Sequence, residues 1–184
     1  MRRAKKKYQI GVIGSAGKDD YKNGKGASKK LMAEAEKIGR LLAKKNAVVV
    51  TGGKDGIMEA SSRGAKIEGG LTVGVIKGRW RFKSNQFVDV EVISGMEVDG
   101  FDELLLVNMC DGLIALGGGA GTLEEIAIAY RNNKPVVAVK NQKGWAQDLA
   151  EKFLDERRRI KIESAESGEK AVEKILSMIK DKNG

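Results

Sequence analysis

Residues 111–139 read DGLIALGGGAGTLEEIAIAYRNNKPVVAV. Gly112 to Leu116 form a short apolar run, and Gly117-Gly118-Gly119-Ala120-Gly121 breaks it. Residues 122–132 then carry apolar side chains at helical spacing, and Pro135 opens a second apolar run ending at Val139. Both runs are apolar throughout rather than alternating, as expected of strands covered on both faces. Proline stands at the first position of its strand, where it loses no ladder hydrogen bond. The unit is strand, glycine loop, helix, strand.

The same unit recurs on either side. Residues 8–13 predict a strand, and residues 28–46 a helix with Leu31, Ala35, Ile38, Leu41 and Leu42 on one face. Residues 47–51, AVVVT, predict a second strand and residues 57–68 a second helix. Strands are expected at 71–76 and 88–93, helices at 101–109, 145–155 and 169–182, and a small edge strand at 159–162. Such alternation specifies an α/β fold, a Rossmann-like, doubly wound and mostly parallel sheet with helices on both faces. No linker interrupts it, so one nucleotide-binding domain over 8–184 is expected, preceded by a basic arm at 1–7.

Composition removes several chemistries. The 184 residues include no His and one Cys, so neither a Ser-His-Asp triad nor a His-ligated metal can be built, and no metal site is expected. Cys110 has no partner for a disulfide within the chain and suits a small buried hydrophobe in a reducing cytoplasm. No apolar run approaches a membrane span. The formal charge is +9. The arm (Arg2, Arg3, Lys5, Lys6, Lys7) and the segment 77–87, KGRWRFKSNQF, account for all of it. A basic arm and one basic loop are not a broad basic face, so nucleic acid is not the expected partner.

Three glycine loops follow three strands: Gly14-Ser15-Ala16-Gly17, Gly52-Gly53-Lys54-Asp55-Gly56, and Gly117 to Gly121. In an open parallel sheet all three lie on the carboxyl edge, where ligands bind. Glycine permits close backbone approach, and a helix N-terminus offers amides and partial positive charge to phosphate. None is a dinucleotide fingerprint or a P-loop; the first reads G-x-x-G-x-x-G from Gly11, and Asp19 follows Lys18 where a P-loop has Ser or Thr. A small phosphate-bearing ligand is the reading, with Gly14, Ser15, Gly17, Gly52, Gly53, Lys54, Gly118, Gly119, Gly121 and Thr122 as candidate contacts. Each loop taken alone reads equally as a tight strand-to-helix turn.

Within the quoted stretch, G-G-G-x-G-T-x-x-E at Gly117 to Glu125 resembles the P-G-G-x-G-T-x-x-E motif of the LONELY GUY-type phosphoribohydrolases, a grouping once labelled lysine-decarboxylase-like. With GGG for PGG it is more similar to the molybdenum-cofactor carrier proteins of the same superfamily. Residues 51–76, TGGKDGIMEASSRGAKIEGGLTVGVI, resemble the second glycine segment of both groups. The resemblance extends over most of residues 8–140. It implies a Rossmann-like fold, a nucleotide or molybdopterin ligand with no further cofactor required, and a homodimer or higher homo-oligomer. In the hydrolases the motif glutamate, here Glu125, is assigned to stabilising the cationic sugar as the N-glycosidic bond breaks, assisted by an Arg on the preceding helix. That Arg position falls at Asp102, beside Glu103, so this chain has the opposite charge there.

Two features read in two ways. Thr122-Leu123-Glu124-Glu125 fits the capping box S/T-x-x-E, which would tie Glu125 to its own helix end; the resemblance makes Glu125 face the ligand. Arg79-Trp80-Arg81-Phe82-Lys83 alternates cation and aromatic. It suits a lid in which Arg79 and Arg81 meet phosphate, or a solvated loop whose Trp80 and Phe82 tuck into the core or a subunit contact. The acidic pair at 102–103 favours a carrier or binding protein over a nucleoside 5′-monophosphate phosphoribohydrolase.

Overall fold

The computed structural model describes residues 6–17, 26–140 and 142–183. Arg2, Arg3 and Lys5 of the arm, and Lys18 and Asp19, lie outside them; Lys6 and Lys7 are exposed. Seven strands form one parallel sheet: β1 (Gln9–Gly14), β2 (Val48–Thr51), β3 (Thr72–Ile76), β4 (Val90–Ile93), β5 (Gly112–Leu116), β6 (Val136–Val139) and β7 (Glu163–Ala165). The order is β4-β3-β2-β1-β5-β6-β7, every neighbouring pair parallel. Chain order therefore reverses direction between β1 and β5, which are in register from Ile10–Gly112 to Gly14–Leu116.

The uniformly apolar strands are covered on both faces. On one side α1 (Lys29–Lys44), α2 (Ile57–Ile67) and α6 (Gly168–Asn183) pack on Ile10, Val12, Val49, Ile114 and Val137. On the other, α3 (Phe101–Met109), α4 (Ala120–Arg131) and α5 (Trp145–Leu149) pack on Ile13, Val50, Leu113, Ala115 and Val136. Adjacent residues of one strand thus feed opposite cores, as the strand period requires. Ser28 caps α1, its Oγ accepting from the N–H of Leu31 at 3.1 Å. Among the described residues no helix is long and apolar enough to cross a membrane.

Two boundaries near the β7 edge of the sheet differ from expectation. The helix after β6 ends at Leu149 rather than near 155. There the N–H of Glu151 donates to the Ile162 carbonyl at 2.7 Å, and the N–H of Ile162 to the Lys152 carbonyl at 2.9 Å. Ser164 and Lys161 both bind the Glu151 carboxylate, which is held down to about 2. That local pairing outcompetes the helix. It also displaces the edge strand from 159–162 to Glu163–Ala165, where the chain pairs with β6.

Candidate functional site

Where the strand order reverses, the loops after β1, β2 and β5 enclose a cleft of about 360 Å³, within the range of small-molecule sites. Of the expected contacts, Gly14, Gly52, Lys54, Gly119, Gly121, Thr122 and Glu125 line it. Ala16, Met58, Val75, Asp102, Glu103, Leu106 and Ala120 complete the wall.

The remaining expected contacts stand behind that wall. The Ser15 N–H donates to the Leu116 carbonyl, its carbonyl accepts from Ile57, and its Oγ accepts from the N–H of Gly118 at 2.9 Å. The N–H of Gly17 donates to Asp55 at 2.9 Å and that of Gly53 to Thr51 Oγ1 at 3.1 Å. Ser15, Gly17 and Gly118 thus tie the three loops to one another, Gly53 is held within its own loop, and the N–H groups of all four are already engaged. Arg79 and Arg81 are exposed and absent from the cleft wall. Trp80 and Phe82 enter no core, being 72% and 85% exposed. Their loop is braced instead: the N–H groups of Phe82, Lys83 and Ser84 all converge on Glu91, whose carboxylate they hold down to about 2.

Helix α4 starts two residues earlier than expected, with Gly119 as its N-cap. Thr122 is therefore the third residue inside the helix, and the capping box does not form. Glu125 is left to face the cleft. The first-turn amides of Ala120, Gly121 and Thr122 have no intrahelical acceptor, and a glycine cap supplies no side-chain oxygen. The glycines here differ in kind. A Cβ on Gly118, at φ +92°, would strike Thr122 at 2.2 Å. One on Gly119 would meet nothing within 4 Å, and one on Gly121 only Glu103 Oε1 at 3.6 Å. Internal packing explains Gly118 but not Gly119 or Gly121, which leave the helix end bare toward the cleft.

Three carboxyl groups line the cleft near that end, Asp102 and Glu103 from α3 and Glu125 from α4 itself. Glu103 accepts from the N–H of Gly100 at 3.0 Å, closing the first turn of α3 with one oxygen. Asp102 Oδ1 is buried and has no hydrogen-bond partner among the described residues. Burial, then Asp102, raises the Glu103 carboxyl. Burial, then Glu103, Asp102 and Glu124, pushes Glu125 well above the usual carboxylate range. Lys54 is exposed at the rim. Cys110 is buried, and its thiol is pushed up by that burial. Among the described residues no group of three or more His, Cys, Asp or Glu is arranged to hold a metal ion. Sequence reasoning placed the acidic pair correctly but read it only as a missing Arg.

A carboxyl raised in the folded state favours the protonated form, so its penalty grows as pH rises from the unfolded value toward the folded one. Glu125→Gln is expected to raise the melting temperature at pH 7–8, at about 2–4 °C for each kcal/mol relieved. Below about pH 4 both states of the wild type are protonated and the gain should vanish. Thermal melts across pH check this; an equal gain at pH 4 and pH 8 would refute a buried, charge-averse Glu125.

Known proteins share this arrangement of elements. The chain is 37% identical, over 135 residues, to an uncharacterized protein of Archaeoglobus fulgidus, covering 73% of this chain and 82% of that one. Among solved structures it is similar to the molybdenum cofactor binding protein of Rippkaea orientalis, at 30% identity and a TM-score of 0.79, covering 96% of this chain and 99% of that one. It is also similar to the molybdenum cofactor carrier protein of Chlamydomonas reinhardtii, at 26% identity and a TM-score of 0.76, covering 95% and 99% of the two chains. A model of the SLOG cluster4 family matches residues 7–172. The match begins just before β1, ends inside α6 and takes in every loop of the cleft: the chain belongs to the SLOG cluster4 family.

Proposed function

We propose that the chain is a binding or carrier protein for a small phosphate monoester of nucleotide-like or molybdenum-cofactor type, held in the cleft at the β1/β5 reversal. The observation behind this reading is the bare N-terminus of α4. Unpartnered amides at Ala120, Gly121 and Thr122 face the cleft between two glycines that packing does not require. Backbone amides at a helix start suit phosphate oxygens, and the helix dipole favours the charge. Lys54 stands at the rim as the nearest candidate cation among the wall residues. The molybdenum-cofactor proteins at 26–30% identity support this class of ligand. The residues fit such a group through its phosphate: Gly119 to Thr122 would hold it, Lys54 would offset its charge, and Leu106, Met58 and Val75 would offer apolar wall to a flat ring. A bound molybdenum cofactor would supply redox chemistry only after delivery elsewhere; this chain's part is binding, orienting and shielding.

The test is differential stabilisation. Nucleoside 5′-monophosphates, or the phosphate form of the pterin cofactor, should raise the melting temperature, and the matching nucleosides should not. At 100 times the dissociation constant, linkage amounts to about 2.7 kcal/mol. Equal shifts with and without the phosphate would overturn the proposal.

A further inference from the structure

The carboxyl side of the same cleft is unexplained by a phosphate site, since three acidic groups beside an anion cradle oppose it. Asp102, Glu103 and Glu125 form no ion pair with any described residue. Asp102 Oδ1 is buried without a partner. Glu103 spends one oxygen on Gly100, and the other lies 3.6 Å from where a Gly121 Cβ would stand, beside the cradle. Glu125 follows Gly121 by four residues, so it lies on the same face of α4, one turn deeper in the cleft. The site thus presents amide donors at the start of α4 and carboxyl acceptors along the wall beside and below it.

We propose that these carboxyls, Glu125 foremost, read the head group of the ligand whose phosphate the α4 amides hold, and that this head carries adjacent ring N–H and exocyclic amino donors, as in the 2-amino-4-oxopyrimidine edge of guanine or a pterin. The inference rests on the cleft being a phosphate-ester site. Once ionised, a carboxyl accepts through two oxygens in one plane and pairs bidentately with two parallel N–H groups, as it does with a guanidinium; such donors favour the charged form, so binding them draws the proton off Glu125. Guanine and pterin offer that pair of donors. Adenine offers an amino donor beside a ring-nitrogen acceptor, whose lone pair would face a carboxylate oxygen. Donors from the ligand also offset the negative charge of the acidic wall and offer a partner to the buried Asp102 Oδ1, which makes that wall compatible with an anionic ligand. A glutamine at 125 inverts the preference, because an amide offers one donor and one acceptor, the pattern that matches adenine.

Isothermal titration with GMP, AMP and inorganic phosphate separates the possibilities, using the full chain and the Glu125→Gln and Asp102→Asn variants. Expected is GMP binding at least about tenfold tighter than AMP, the scale of one bidentate base contact. Glu125→Gln should collapse or reverse that ratio while inorganic phosphate binds at least as tightly as to the unaltered chain. Equal affinities, a preference for AMP, or a ratio unmoved in both variants would overturn the head-group assignment and leave the phosphate cradle standing. Failure of all three probes to bind would overturn the cradle and the head-group assignment together. Both variants replace a carboxyl by an amide of nearly the same shape, and thermal melts check that each is folded.

Discussion

Gly121→Val is expected to weaken phosphate-monoester binding by 100-fold or more, about 2.8 kcal/mol, without unfolding the protein. A Cβ at this position points into the cleft and meets only Glu103 Oε1, at 3.6 Å. Its two methyl groups would then occupy the space in front of the α4 amides that a phosphate must enter. The fold itself has no objection. Gly121 is exposed in the first turn of α4. Replacing a helical glycine by valine removes unfolded-state freedom, so stability should stay level or rise by up to about 0.5 kcal/mol. Titration calorimetry and thermal melts on the same sample separate the two effects. Binding within threefold of wild type would reduce the loop to a turn.

Hydrolysis of AMP is expected to be slower than about 0.1 s⁻¹, and the same holds for GMP and cytokinin riboside monophosphates. Breaking an N-glycosidic bond builds positive charge on the sugar, which a carboxylate can stabilise, and negative charge on the leaving base. Two features oppose this chemistry. The raised Glu125 favours the neutral acid, which stabilises a cation poorly. The position where the hydrolases' Arg is expected holds Asp102, which lines the cleft with Glu103. Losing one preorganised donor costs about 10²–10³ in rate, which takes a median enzyme of about 10 s⁻¹ to about 0.01–0.1 s⁻¹. Chromatography of released base measures it. Turnover of about 1 s⁻¹ or more, abolished in Glu125→Ala, would replace the carrier reading with a hydrolase.

Most of the fold was legible because β1, β2, β3, β5 and β6 are apolar on both faces, and β1, β2 and β5 end in glycine loops. That pattern has few solutions other than a covered parallel sheet. The end of α5 was not legible. It depends on Glu151 finding Lys161 and Ser164, partners 10 and 13 residues on, and periodicity carries no record of such contacts. The site was half legible. The loops were placed on the correct edge, but spacing could not say which glycine amides are spent internally. Ser15 and Gly118 satisfy one another across 103 residues, a pairing invisible in one dimension. The start of α4 was missed because Ala120 and Gly121 read as loop by composition. Tertiary contacts fix the helix end instead: the N–H groups of Trp145 and Ala146 bind the carbonyls of Gly118 and Gly117. The acidic pair was legible as a charge exchange at 102–103, but its burial against Glu125 depends on how α3 packs on α4, which spacing does not record.

The register of β1 against β5 also bears on how the chain is made. β1 can pair with β2 early, but its other edge waits for Gly112–Leu116, about a hundred residues later. At about 5–20 residues per second of synthesis, that edge stays open for roughly 5–20 s. Throughout that interval QIGVIG keeps one open edge, the kind of edge that recruits other chains. Because the cleft straddles this junction, ligand affinity cannot arise before β5 and the start of α4 have been made. Compounds that bind the cleft should therefore protect the finished domain but offer no rescue to a chain stalled before β5.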